Sequence, residues 1–451
     1  MAYNRQVAAA VAAALAGTLS GFANATAAPT VAQVATAAVK LYVAGSSAAQ
    51  PAVANAIEND LCKADSTVVI TSTGDKNFAA YACIPSTANS TLGTLVNSSN
   101  VFVVYYHFDG GSVGGVFPIV SNASLAQLDL GTTANIVQTS STAWSVPVAG
   151  CALTNVYTAG VISTPVQLGI SDVEPAVFVG ANSPYNASGQ AYSMSAYGAA
   201  TPAQLSGLGK TGLFDQVFGI FVNTKGALGG ATGLNLSTED VANILQGNYT
   251  DWGSVPNTTD GSPVSSTGGA ITILNREQGS GSRASADTYF LRDNCVAGAN
   301  SIAEGTTGDS LSTGNVLATA NVIPGGVTYA SINNYNPTTY PNLVLVSLDG
   351  VAPTNLNAAT GLYGFWFEAT SQENTHTGVN NAASNKVITF LNGDMQAQAT
   401  APALADIDAI PNVNGNSGAT PPNSTTTSGV TVYTNIFTRG LSSCSEPQET
   451  N

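Results

Sequence analysis

The stretch from Asn275 to Phe290, NREQGSGSRASADTYF, constrains the fold of this chain more than any other. It follows the apolar run 271–274, and it leads into alanines and aromatic residues that favour a helix, so we predict a strand, a tight loop and a helix start. Gly279 and Gly281 allow the backbone to approach a ligand, and the free N–H groups of a first helical turn bind anions. Ser280 and Ser282 supply hydroxyl groups to this loop, and Arg276 and Arg283 supply guanidinium groups.

Positive charge is concentrated around this motif. The whole sequence has 11 Lys and Arg, and Arg276, Arg283 and Arg292 are three of them. The glycines alone fit a turn before a surface helix equally well, but the arginines favour an anion site. The net charge of −15 argues against nucleic acid as a partner, because the phosphate backbone repels an acidic surface.

A chain of 451 residues exceeds the usual size of one domain, so two lobes are expected. Residues 6–21 form an Ala-rich apolar stretch after Arg5, and Ala23-Asn24-Ala25 is typical of a cleavage site. We therefore predict a signal peptide at residues 1–25, an exported protein, periplasmic or extracellular, and no membrane span in the mature chain.

The cysteine pattern predicts disulfides in an oxidising compartment and no metal site, because no CxxC or Cys/His spacing occurs. The five cysteines are Cys62, Cys83, Cys151, Cys295 and Cys444. We expect Cys62 to pair with Cys83, and one cysteine is left over from any set of pairs. No cofactor is expected.

Apolar runs alternate with helical patterns along the chain, which predicts an α/β fold with ligand-binding loops at the carboxyl ends of its strands. Three runs besides the opening motif end in polar loops: 40–44 before Gly45-Ser46-Ser47, 101–108 before Asp109 to Gly115, and 166–170 before Ser171-Asp172. Residues 119–164 are low in charge, and we expect them to form an irregular surface insertion.

The rest of the chain supplies further elements. Strands are expected at 214–223, 326–330, 343–348, 362–368 and 430–437, helices at 238–247 and 385–391, and a linker at 411–429.

Several of these segments, taken in order, resemble motifs of the phosphate-binding proteins of ABC importers, which belong to the type II periplasmic-binding-protein group. The matching segments are Ala44–Pro51, Gly111–Gly115, Gly169–Asp172, Arg276 with Gly279–Ser282, Thr238–Trp252, Pro324–Tyr329 and Ser347–Thr354. The resemblance covers roughly residues 39–395. It is most specific at Arg276 and the Gly-Ser-Gly-Ser loop, and Arg283 fits a branch of the family that has arginine at this place.

The resemblance implies two α/β lobes joined by crossover strands that close on an oxyanion, with long surface insertions. The first lobe would comprise 39–213 and a return through 361–451 with a C-terminal tail, and the second 214–360. Ligand contacts would come from Ser47, Ser112 and Asp172 on one lobe and from Arg276, Ser280, Gly281, Ser282 and Arg283 on the other. Ser72 is the alternative to Ser112. The implied partners are phosphate or a similar oxyanion and an ABC permease.

Asp172 is unusual beside an anion, but it fits a protonated ligand. A carboxylate accepts a hydrogen bond from a phosphate O–H, whereas sulfate has no proton to donate, so Asp172 would favour phosphate. Arg276 is expected to hold both this carboxylate and the ligand.

Two other functions stay open. One is a secreted surface or matrix protein that keeps the binding-protein fold without transport, as the low charge and long insertions indicate. The other is a serine hydrolase, because Gly110 to Gly114 fits GxSxG after a strand and His376 follows Ser112 in the order that a triad requires.

Overall fold

The computed structural model describes residues 27–86, 90–97, 99–151, 156–184, 197–258, 260–303, 310–397, 409–411, 424–427, 430–433 and 437–449. The predicted signal peptide and most of the predicted linker at 411–429 lie outside these ranges. Within them, no helix has the length and apolar character needed to cross a bilayer.

Helices and strands are interspersed along the chain. The α-helices are α1 (Val31–Ala35), α2 (Gln50–Asn55), α3 (Phe117–Ser121), α4 (Pro202–Gly207), α5 (Thr238–Leu245), α6 (Gly281–Ala286), α7 (Thr313–Val322), α8 (Asn355–Ala359) and α9 (Ala382–Ala397). The longer strands are β1 (Val39–Gly45), β2 (Val68–Gly74), β3 (Phe78–Cys83), β4 (Phe102–His107), β5 (Ser124–Leu128), β7 (Ala143–Cys151), β8 (Val156–Ala159), β9 (Val161–Pro165), β10 (Leu168–Ser171), β11 (Thr211–Asn223), β14 (Gly326–Ser331), β17 (Trp366–Glu373), β19 (Ser424–Thr427) and β20 (Val430–Tyr433). The short strands are β6 (Val137–Gln138), β12 (Asn235–Leu236), β13 (Thr272–Ile273), β15 (Leu343–Leu345), β16 (Ser347–Leu348), β18 (Ala409–Pro411), β21 (Phe437–Thr438) and β22 (Gln448–Glu449).

A large mixed sheet organises the molecule, in the order β13-β14-β11-β17-β10-β1-β4-β3-β2-β7-β6. At its centre β1 runs parallel to both β10 and β4. These strands are rich in buried Val, Leu, Ile and Tyr, as expected for parallel strands that are covered on both faces. The predicted α/β class is confirmed.

Strand β11 connects two sections of this sheet. Its first half pairs antiparallel with β17, and its second half pairs antiparallel with β14 and β15. One continuous strand therefore carries the chain from the section that contains β1, β4 and β10 to the section that contains β13. The boundaries proposed above for two lobes remain a prediction.

The prediction that residues 119–164 form an irregular insertion is wrong. This segment contains most of β5 to β9, and β7 joins the main sheet by pairing parallel with β2. Pro147 and the scarcity of alternating polar residues hide this strand in the sequence, yet Pro147 lies within the pairing, opposite Thr73. Tertiary pairing here outweighs local propensity.

The strand predicted at 362–368 begins instead at Trp366. Leu362 is 65% exposed and lies in a turn, where its N–H donates to the carbonyl of Asn357. Leu362 therefore belongs to a turn that precedes the strand, although its apolar side chain favours a strand in the sequence.

Two disulfides join described cysteines. Cys62–Cys83 confirms the predicted pair, and Cys295–Cys444 ties the C-terminal segment to the region that follows α6. Arg439 strengthens this attachment, because its buried guanidinium lies over Trp366 at 5.1 Å and donates to the carbonyl of Gly364 at 2.9 Å.

Candidate oxyanion site

Three polar loops follow the carboxyl ends of neighbouring parallel strands. Ser46 and Ser47 follow β1, Ser112 lies in the turn after β4, and Asp172 follows β10. Because β10, β1 and β4 are adjacent and parallel, their ends meet at one edge of the sheet, which is where open α/β sheets bind ligands. We call these loops the first wall of the site.

Ser112 and Asp172 are in direct contact. The Asp172 backbone N–H donates to the Ser112 hydroxyl at 3.0 Å, and the Ser46 hydroxyl donates to the Asp172 carboxylate. Asp172 is 2% exposed. Burial raises the pKa of its carboxyl to about 6, against the opposing effects of the Ser46 hydrogen bond, the Arg276 charge and the Ser112 hydrogen bond.

The second wall is formed by residues 276–283 and by Thr313. Ser280 is the N-cap of α6, with its hydroxyl accepting from the Arg283 N–H. Gly279 has a positive φ of 91°, and its carbonyl accepts from the Val113 N–H at 3.0 Å. The two walls are therefore hydrogen-bonded to each other through their backbones.

Gly281 lies where the walls are closest. A Cβ at this position would overlap the Ser112 hydroxyl and would stand 2.6 Å from the Asp172 carboxylate. Only glycine fits without moving one wall. The close backbone approach predicted for this glycine is thus present, and its neighbours are the two first-wall residues named from the sequence.

Arg276 is buried among hydrogen-bond acceptors from its own wall and from the residues just before Thr313. Its Nη2 donates to the Glu277 carboxylate at 2.8 Å and to the Leu311 carbonyl at 3.1 Å, and its Nε donates to the Ser310 carbonyl at 3.0 Å. The carboxylate that Arg276 holds is therefore that of Glu277, and the expected hydrogen bond to Asp172 is not among the contacts of the described residues. Arg276 acts on Asp172 through charge.

Ser282 and Arg283 follow Gly281 in α6 and are fully buried. Arg283 donates from Nη1 to the Arg276 carbonyl at 3.1 Å, so it supports the motif's backbone. The Ser282 hydroxyl has no hydrogen-bond partner among the described residues. An unpaired buried hydroxyl is costly, which makes Ser282 a candidate donor to a ligand.

Arg283 also faces the Asp287 carboxyl. Burial raises the pKa of Asp287 to about 7, and the charge of Arg283 opposes this rise. Arg283 therefore donates a hydrogen bond to the backbone of Arg276, and its positive charge favours the ionised form of the buried Asp287.

Ser47 reaches the second wall through Thr313. The Thr313 N–H donates to the Ser47 hydroxyl at 3.3 Å, and the two hydroxyl oxygens are 3.2 Å apart. The hydroxyl of Thr313 also accepts from Arg276 Nη1 at 2.9 Å. The structure thus brings together all eight residues predicted from the sequence, either directly or through one neighbour.

Three residues of this site are not predicted by the sequence motifs. Ser46 and Glu277 are neighbours of predicted residues, and their proximity to Ser47 and Arg276 was the available signal. Thr313 had none, because the segment around it carries no motif and its role depends on how α7 is placed.

The contacts of the histidines do not favour a hydrolase. His376 has its Nε2 3.3 Å from the Val120 carbonyl oxygen. His107 is buried and stacked on Phe78, and burial lowers the pKa of its imidazole to about 3. The hydroxyl of Ser112 is occupied by Asp172.

Ser72, the alternative to Ser112, lies near the end of β2, which β3 separates from β4 in the sheet. Its hydroxyl donates to the carbonyls of Asp75 and Phe78. It stabilises the turn between β2 and β3, and Ser112, which contacts Asp172, remains the predicted serine of the site.

Comparison with known proteins gives similarity at the level of solved structures. No family model matches the sequence, and no curated protein matches it. A proposed phosphate ABC transporter substrate-binding protein from Clostridium perfringens, solved with bound phosphate, aligns at 12% identity and a TM-score of 0.42, over 80% of this chain and 97% of that chain.

Two further structures align similarly. A phosphate-binding protein from Stenotrophomonas maltophilia aligns at 14% identity and a TM-score of 0.40, over 88% of this chain and 87% of that one. PstS from Borrelia burgdorferi aligns at 12% identity and a TM-score of 0.36, over 82% and 98%. These values are too low to transfer the role of any residue, so the function has to be argued from the contacts of the site itself.

Proposed function

We propose that this chain is an exported solute-binding protein that captures phosphate or a similar oxyanion between the two walls, without catalysis. The observation that carries the proposal is the buried Ser282 hydroxyl, which has no hydrogen-bond partner among the described residues. Ser282 follows Gly281, the residue that lies against Ser112 and Asp172. A site that offers both a hydroxyl donor and a carboxyl acceptor suits a ligand that both accepts and donates hydrogen bonds.

The charge of the site agrees with this ligand. Arg276 is paired with Glu277, so it supplies a fixed donor with little net positive charge. An oxyanion held by hydroxyls, backbone N–H groups and one paired guanidinium is desolvated at modest cost. Protonated phosphate can also donate to Asp172, whose raised pKa marks a carboxyl that gains from a hydrogen-bond donor when it is ionised.

Export is part of the proposal. The two disulfides and the predicted signal peptide support a periplasmic or extracellular location, where disulfides persist. An ABC permease is the partner that such a binding protein would serve.

The test is a calorimetric titration of the mature protein with inorganic phosphate, alongside Ser282→Ala. We expect saturable binding by the wild type, and an affinity lower by about tenfold in the variant. Thermal stability should not fall, because no described residue forms a hydrogen bond with this hydroxyl that the variant would lose.

Ser285→Ala is the matched control, since its hydroxyl bonds to the Ser282 carbonyl within the same helix at 2.9 Å. It should bind phosphate as the wild type does. No heat of binding from the wild type would overturn the proposal and favour a matrix protein, and ester turnover that Ser112→Ala abolishes would favour a hydrolase.

A further inference from the structure

Thr313 is the buried residue that links the two walls through side chains. It opens α7, is 1% exposed, and its hydroxyl lies between Ser47 of the first wall and Arg276 of the second. Three contacts define this position: Thr313 N–H to Ser47 Oγ at 3.3 Å, Arg276 Nη1 to Thr313 Oγ1 at 2.9 Å, and the two hydroxyl oxygens at 3.2 Å.

Hydrogen accounting shows what this arrangement leaves over. The Ser47 hydroxyl accepts the backbone N–H of Thr313, and the Thr313 hydroxyl accepts an N–H of Arg276. One O–H closes the bond between Ser47 and Thr313, and the other O–H has no acceptor among the described residues. Whichever hydroxyl donates to the other, the pair keeps one free O–H donor between the walls.

The same contacts fix the guanidinium. Glu277, Ser310 and Leu311 hold Nε and Nη2 of Arg276, and Thr313 holds Nη1. One N–H of Nη1 is then left without an acceptor among the described contacts. The direction of this N–H is set by the Thr313 hydroxyl.

We propose that Thr313 is a positioning residue of the oxyanion site, which orients the Ser47 hydroxyl and the Arg276 guanidinium toward one ligand when the walls meet. This inference rests on the proposed function. Because the contact spans the walls, its loss acts chiefly on the closed, liganded state, and so on the rate at which the anion leaves.

The experiment measures phosphate affinity by calorimetry and its dissociation rate by stopped flow, for Thr313→Val and Thr313→Ser. Valine keeps the shape and removes the hydroxyl, so we expect affinity to fall about tenfold or more, mainly through faster dissociation. Serine restores the hydroxyl, and it should recover most of the affinity. Thr319→Val is the control, since the Thr319 hydroxyl bonds to the Asn315 carbonyl within the same helix.

Affinity of Thr313→Val within twofold of the wild type would overturn the inference, as would a serine variant as weak as the valine one. If the wild type binds no phosphate, the proposed function fails, and the link is then tested by melting temperatures of Ser47→Ala, Thr313→Val and the double variant. Non-additive losses support the link, and additive losses overturn it.

Discussion

The backbone N–H of Asp172 donates to the hydroxyl of Ser112 at 3.0 Å, which joins the loops that follow two strands separated by β1 in the sheet. Gly281 of the opposite wall lies against this pair. The contact therefore marks the place where three segments, distant in sequence, form one buried polar surface.

Gly281→Ala tests how closely the walls must meet. The added methyl would overlap the Ser112 hydroxyl and crowd the Asp172 carboxylate, so the walls have to separate. We expect phosphate affinity to fall at least about tenfold, measured by calorimetry. Gly314→Ala in α7, where a Cβ meets nothing within 4 Å, should bind normally, and equal losses in the two variants would contradict this account.

Stability should depend on pH through three buried carboxyls. Burial raises the pKa values of Asp109 and Asp287 to about 7 and that of Asp172 to about 6. The folded protein then holds more protons than the unfolded chain between about pH 4 and 7. The stabilisation is fully present below the pKa values that these carboxyls have in the unfolded chain. It is lost as the pH rises through their pKa values in the folded protein.

We therefore expect the free energy of unfolding to be higher at pH 5 than at pH 8, by on the order of 1 kcal/mol or more, measured by denaturant titration. Asp109→Asn should flatten this dependence, because it removes a carboxyl whose pKa is raised by burial and by the nearby acids Asp75 and Glu277. Glu239→Gln replaces an exposed carboxyl and is the control. A stability that rises from pH 5 to pH 8 would contradict the assignment.

The two disulfides should differ in their contribution to stability. Cys62–Cys83 closes a separation of 21 residues and Cys295–Cys444 one of 149. The chain-entropy model gives about 3 kcal/mol for the short loop and about 5 kcal/mol for the long one. In denaturant unfolding, the double serine variant of Cys295 and Cys444 should therefore lose more stability than the double serine variant of Cys62 and Cys83. The reverse order would show that the C-terminal segment is held by its other contacts.

Much of the first wall could be predicted from the sequence. Ser47, Ser112 and Asp172 follow apolar runs, and parallel strands place their carboxyl ends together. Gly281 was also predictable, since a glycine between polar residues at a helix start indicates that the backbone closely approaches another group. The local pattern and the global fold agree at these positions.

The parts that escaped prediction depend on tertiary placement. Thr313 reaches Ser47 because α7 packs beside the motif, which no local pattern encodes. The sequence pattern predicts Asp172 as the partner of Arg276, whereas the structure pairs Arg276 with the adjacent Glu277. Strand β7 was missed because Pro147 and weak alternation disguise a segment that β2 stabilises by pairing.

The central claim is that Asp172 accepts a hydrogen bond from a proton-bearing oxyanion. Competitive calorimetry with phosphate and sulfate, on the wild type and on Asp172→Asn, tests this claim most directly. We predict that the wild type prefers phosphate by about tenfold or more, and that asparagine, which can donate to sulfate, narrows this preference. Equal affinities in the wild type, or an unchanged preference in Asp172→Asn, would contradict it.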